Sequence, residues 1–73
     1  MKKEKEVFWS GSAQRCDFCK NELTAEFLDG RTHIGSWAIM CPSCAVKHGV
    51  GIGVGRGQVY QKQPDGRWKK VRG

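Results

Sequence analysis

A chain of 73 residues with 38% apolar content has room for one small domain, and too little apolar surface to hold it folded without some added constraint. Its formal charge of +6 is unevenly placed: residues 1–46 carry six Lys or Arg against six Asp or Glu, whereas residues 47–73 carry Lys47, Arg56, Lys62, Arg67, Lys69, Lys70 and Arg72 against Asp65 alone. The excess therefore sits in the C-terminal third, where it would attract phosphates or an acidic surface, and no apolar run is long enough for a membrane-crossing helix.

Residues 1–6, MKKEKE, are charged throughout and are expected to be disordered, with one domain spanning 7–73. The basic start is broken by Glu4 and Glu6 and is followed by no apolar run of signal-peptide length, so a cytoplasmic protein with reduced thiols is expected. "VFWS" reads as a short strand because Val7, Phe8 and Trp9 favour extended backbone, and Gly11, Ser12 and Ala13 read as a loop into the first cysteine pair. Beyond that pair, "TAEFL" and "RTHI" flank Asp29-Gly30, a dipeptide that predicts a hairpin turn; Gly35-Ser36 would bend the second strand before "WAIM".

After the second cysteine pair, "PSCAVKHG" predicts a one-turn helix, with Ser43 as N-cap, Lys47 and His48 in the last turn, and Gly49 at C′. Next come glycines at every second position from Gly49 to Gly57. They end in no Gly-Lys-Ser or Gly-Lys-Thr and fit no GxGxxG register, so a phosphate loop of either kind is not predicted. The period of two predicts an extended segment, with Val50, Ile52 and Val54 on one face and a bare glycine face packed under Trp37 or Trp68. The alternative is a ligand groove of Gly51, Gly53, Gly55 and Gly57 headed by Arg56, for a small nucleotide-like phosphate. Finally, "QVYQKQ" and "RWKKVR" around Pro64-Asp65-Gly66 predict a C-terminal β-hairpin.

The added constraint is legible in Cys16-Asp-Phe-Cys19 and Cys41-Pro-Ser-Cys44, two CxxC pairs separated by 21 residues. A CxxC held in a tight knuckle directs two thiolates at one ion, so Cys16, Cys19, Cys41 and Cys44 are the predicted ligands of a single tetrahedral metal; zinc is favoured, and iron accepts the same donors. The predicted fold is a small β-rich, metal-stabilised domain with two CxxC knuckles and a C-terminal hairpin. This pattern resembles the zinc-ribbon class. "MCPSC", "GVGIGVGRGQVY" and "DGRWKKV" are further similar to small zinc-ribbon proteins encoded by bacteriophages. That resemblance implies a protein that interferes with or redirects a host component, in the host cytoplasm.

Four thiolates complete a tetrahedral site, which leaves His33 and His48 as ordinary polar residues, and the scattered carboxylates supply no acid/base pair; a non-catalytic chain is expected. Phe8, Trp9, Phe18, Phe27, Trp37, Tyr60 and Trp68 are needed first for the core. Tyr60 and Trp68 also alternate with Lys62, Arg67, Lys69 and Lys70, a pattern that could stack bases while contacting phosphates. The leading expectation is binding of nucleic acid, or of a nucleic-acid-handling protein, through Arg56, Tyr60, Lys62, Arg67, Trp68, Lys69, Lys70 and Arg72. The rivals are an inhibitor or adaptor docking on an acidic host protein, the small-phosphate binder, and a purely structural element of a larger assembly.

Overall fold

The computed structural model describes residues 7–9 and 15–73; the expected disorder of residues 1–6 and the loop at Gly11, Ser12 and Ala13 lie outside them. Four strands and one helix follow in order: β1 (Glu26–Arg31), β2 (Trp37–Met40), α1 (Pro42–His48), β3 (Gly57–Lys62) and β4 (Trp68–Arg72). The strands form one antiparallel sheet in the order β2-β1-β3-β4. Residues 7–9 lie along the outer edge of β4: Phe8 bridges Lys69, the Trp9 amide donates to the Trp68 carbonyl (2.9 Å) and the Lys70 amide donates to Val7 (2.7 Å). "VFW" is thus a single bridge rather than a full strand.

Asp29-Gly30 is not a turn. Both residues lie inside β1, Asp29 opposite Ile39 and Gln58, Gly30 opposite Ala38 and Gly57. Glycine is needed at 30 for close backbone approach, since a Cβ there would sit 2.9 Å from the Arg56 carbonyl oxygen and 3.1 Å from the Gly57 Cα. The reversal falls later. Thr32 donates to the Ser36 carbonyl through both its amide (2.9 Å) and its hydroxyl (2.8 Å), and Gly35 takes φ +96° between them. Buried Thr32 therefore has its polar atom satisfied, and β2 begins at Trp37.

The helix runs for seven residues, with Cys41 rather than Ser43 at the N-cap and Pro42 in the first turn, where its missing N–H costs nothing. Gly49 ends it at φ −78°, not in the left-handed conformation expected of a C′ glycine. It is small for another reason: a Cβ there would meet the Ala45 carbonyl oxygen at 2.8 Å and Leu28 Cδ2 at 3.1 Å, so α1 and β1 approach closely.

The glycine stretch is a loop and a tight turn, not an extended strand. Gly51, Gly53 and Gly55 all take positive φ (119°, 141° and 80°), and the amides of Arg56 and Gly57 both donate to the Gly53 carbonyl. Alternating glycine mimics strand periodicity, but here Gly51, Gly53 and Gly55 use the backbone freedom that glycine supplies, while Gly49 and Gly57 are small for close packing. Neither Trp37 nor Trp68 covers them. The Arg56 guanidinium does, lying where a Cβ on Gly53 would be 3.1 Å from Nη2 and one on Gly51 3.7 Å from Nη1.

Successive residues of β1 are buried on opposite faces of the sheet. Phe27 faces an aromatic cluster, stacked on Tyr60 (5.2 Å, 15°) and edge-on to Trp68 (4.9 Å) and Trp9 (5.4 Å). Such pairs add about 0.5–1.5 kcal/mol each beyond the area they bury. Leu28, opposite Met40, faces the other way, toward α1. β3 and β4 pair across a turn at Pro64, Asp65 and Gly66, with a register shift at Val59 and Tyr60.

Candidate metal centre

The first cysteine pair forms a knuckle. The Cys16 amide donates to Asn21 (3.0 Å), the Lys20 amide donates back to Cys16 (3.1 Å), and the Phe18 amide donates to Cys16 Sγ (3.4 Å). Lys20 closes the turn at φ +66°, a conformation in which a non-glycine residue carries strain. Asp17 fixes the knuckle to the sheet: its amide donates to the Ile39 carbonyl (2.8 Å) and its carboxylate accepts from the Ile39 amide (2.9 Å). Nothing in the spacing of the cysteines announces this clamp. Asp17 uses the outer edge of β2 two residues before Cys41, and so brings the two pairs together.

The second pair is not a knuckle, contrary to the expectation of two. Cys41 caps α1 and Cys44 lies in its first turn, where an i, i+3 spacing puts both sulfurs on one side of the helix. Knuckle and helix then point at a common centre. The four Sγ atoms all lie within 4.8 Å of one another, and Cys19 Sγ is 3.7 Å from Cys41 Sγ. A disulfide would require about 2.05 Å. A tetrahedral ion with metal–sulfur bonds of about 2.3 Å requires sulfur–sulfur edges of about 3.8 Å, which the Cys19–Cys41 separation meets. Cys16 and Cys44 are buried, Cys41 is half-buried and Cys19 is exposed, so the centre sits just under the surface. His48 is not among the clustered groups; its ring stacks on Phe18 of the knuckle (4.1 Å, 12°) and ties the end of α1 to it.

The electrostatics suit a cation. Burial pushes the Cys16 thiol up, but hydrogen bonds from the backbone at Cys41, Cys19 and Phe18, with a smaller one from the Cys44 thiol, outweigh it and bring it down from 9.0 to about 6. Cys44 moves the opposite way, to about 12, because burial and its hydrogen bonds to Cys16, Cys41 and Cys19 hold its proton in place. Cys16 is thus held toward its thiolate form and Cys44 toward its thiol form, and a bound cation would share the negative charge at Cys16.

The residues expected to bind nucleic acid or a partner are not gathered in one place. Tyr60 and Trp68 are buried in the aromatic cluster, so their rings do not face solvent. Lys62 Nζ lies 5.7 Å from the Trp68 ring. Arg67 pairs with Asp65 (2.9 Å) and lies 4.1 Å over Phe8. The Arg67 backbone amide and then its side chain donate to Asp65, holding that carboxyl below its usual range. The strand register puts Lys62 and Lys70 on the Phe27 face, and Lys69 and Arg72 on the Leu28 face. The expected glycine groove is not a bare surface: Gly57 is buried at the start of β3, Gly51 and Gly53 lie under Arg56, and of these four only Gly55 has open space beside it. Among the described aromatic residues Trp37 and, less so, Phe18 are exposed, although the sequence reading gave both a place in the core first.

Fold and cysteine cluster together define a small β-rich, metal-binding module with a four-stranded antiparallel sheet. Compared with known protein families, curated proteins and solved structures, the chain matches none, so the likeness to phage zinc-ribbon proteins gains no support from relatives. No helix among the described residues is long and apolar enough to cross a membrane.

Proposed function

We propose that the chain is a zinc-binding, non-catalytic module that contacts nucleic acid, or a nucleic-acid-handling protein, through its basic C-terminal third. The observation that carries the reading is the convergence of Cys16, Cys19, Cys41 and Cys44 from a knuckle and a helix onto one tetrahedral-sized space. Four thiolates would fill the coordination shell of zinc and leave no position for water or substrate, which makes the metal a structural one. It would tie the knuckle to α1 at their cysteines, adding to the Phe18–His48 stack and to the indirect link through Asp17 and β2.

The contact role is supported by the confinement of the +6 charge to residues 47–73 and by the exposure of Arg56, Lys62 and Arg72. Long-range attraction of a polyanion needs such an excess and not a pocket. A reducing cytoplasm fits a chain that relies on four free thiols. The test is a titration of the zinc-loaded protein with nucleic acid across a range of salt concentrations. Binding should weaken steeply as salt rises, and Lys62→Glu with Arg72→Glu should weaken it further while the fold persists. Absence of binding at low salt, together with a stoichiometric protein captured from nuclease-treated host lysate, would replace this reading with the inhibitor or adaptor.

A further inference from the structure

The four cysteines of the cluster are not equally open. Cys16 and Cys44 are 1% and 6% exposed, whereas Cys19 is exposed and Cys41 half-buried. Each CxxC therefore supplies one covered cysteine and one that solvent reaches. The two accessible ones come from different segments, the knuckle and the N-cap of α1, and their Sγ atoms lie 3.7 Å apart. Cys16 is held back further, since its Sγ accepts from the Phe18 amide (3.4 Å).

This distribution divides the site into two halves with different chemistry. A sulfur closed off from solvent is inert toward a dissolved oxidant, while an open thiolate with a second thiolate beside it is the arrangement that oxidises to a disulfide. As metal donors, Cys19 and Cys41 are both thiolates. Joining them requires their sulfurs to close from 3.7 Å to about 2.05 Å. The movement falls on the exposed side of the knuckle, where Phe18, Cys19 and Lys20 all face solvent, and it leaves the Asp17 clamp to β2 in place.

We propose that Cys19 and Cys41 form an oxidation site: a peroxide converts them to a disulfide between the knuckle and α1, and the metal is released because only Cys16 and Cys44 remain as donors. The inference rests on the zinc-binding reading above and is independent of the nucleic-acid contact. In the first step the Cys19 thiolate attacks the peroxide O–O bond; an S–O bond forms and hydroxide leaves. The Cys41 thiolate then attacks the Cys19 sulfur, the S–S bond forms, and the S–O bond breaks with loss of a second hydroxide. Each sulfur has given up one electron, the peroxide has taken both, and two protons turn the hydroxides into water. A dithiol reductant reverses the change and restores all four donors.

The experiment treats zinc-loaded, full-length protein with hydrogen peroxide in the presence of a chromogenic zinc chelator, alkylates the remaining thiols and maps the tryptic peptides by mass spectrometry. Trypsin cuts after Arg15, Lys20, Arg31 and Lys47, so Cys16 and Cys19 share one peptide, and Cys41 and Cys44 share another. A Cys19–Cys41 disulfide joins these two peptides and leaves Cys16 and Cys44 alkylated, whereas a disulfide within either CxxC leaves the peptides separate. The joined pair should make up most of the oxidised protein, with about one zinc released for each disulfide formed, and dithiothreitol with added zinc should restore the starting state. Disulfides confined to Cys16–Cys19 or Cys41–Cys44 would overturn the proposal. So would zinc retained by cross-linked protein, sulfinic acid at Cys19 without a cross-link, or a cluster left unmodified by excess peroxide. Protein that carries no zinc before the peroxide is added would overturn the zinc reading and the release with it, while the peptide map still decides whether Cys19 and Cys41 are the pair that closes.

Discussion

Gly53 and Val54 are neighbours in the chain and should respond in opposite ways to substitution. Gly53 takes φ +141° under the Arg56 guanidinium, so Gly53→Val should cost about 1–3 kcal/mol; Val54 is 93% exposed, so Val54→Thr should fall within about 0.5 kcal/mol of wild type in a thermal melt. The sequence predicts the same contrast from a strand with one bare face, yet the physical cause is backbone conformation. Repeated glycine states that something other than a side chain matters at those positions, without saying whether it is close packing or a left-handed backbone.

The cysteines make a residue-scale prediction about pH. Cys16 has a folded-state value lowered to about 6, so what its ionised form contributes is present above the ordinary thiol value of 9.0 and is lost as pH falls through about 6. Cys44, raised to about 12, still holds its proton at neutral pH and must release it to a metal. Both effects have the same sign for binding: metal affinity should rise with pH between 6 and 8, with protons released on binding, as a competition titration against a chromogenic chelator in weakly buffered solution would show. Affinity independent of pH over that interval would mean that thiols are not the ligands.

At the scale of elements, the clamp between the knuckle and β2 is the joint on which the site depends. Asp17→Ala removes a carboxylate that accepts from the Ile39 amide, and should lower stability by about 1 kcal/mol and weaken metal binding, whereas Glu26→Ala, an exposed residue at the start of β1, should do neither. The same scale shows what local signals could convey. The runs WAIM, QVYQKQ and RWKKVR fall on β2, β3 and β4, whereas TAEFL covers only the first half of β1 and RTHI only its last residue. The turn between β1 and β2 was misread because Asp-Gly is a strong hairpin signal, and only the pairing of Gly30 against Gly57 from another strand explains why glycine stands there. The second CxxC was expected to be a knuckle, but Pro42 at the first position of a helix serves equally well and the residues after Cys44 continue the helix.

Over the whole molecule, Phe27 and Leu28 divide the interior between an aromatic face and a face toward the helix. The aromatic cluster explains why Tyr60 and Trp68 could not also serve as a stacking surface: a chain of 73 residues needs them inside. Which tryptophan remains outside is decided by the strand order, which sets β2 at the edge, and strand order is not written in local sequence. The cysteine spacing, by contrast, pointed to the four residues that the fold brings into one cluster, because a four-donor site depends on the knuckle spacings and not on the path between them. Binding a structural zinc contributes about 10–16 kcal/mol in small peptides, comparable to the net stability of a whole domain, so metal and fold should be lost together. The most direct measurement is elemental analysis of freshly purified, reduced protein, paired with a thermal melt before and after a strong chelator. The account predicts one zinc per chain and the disappearance of cooperative unfolding once the zinc is removed; metal-free protein with an unchanged melt would contradict it.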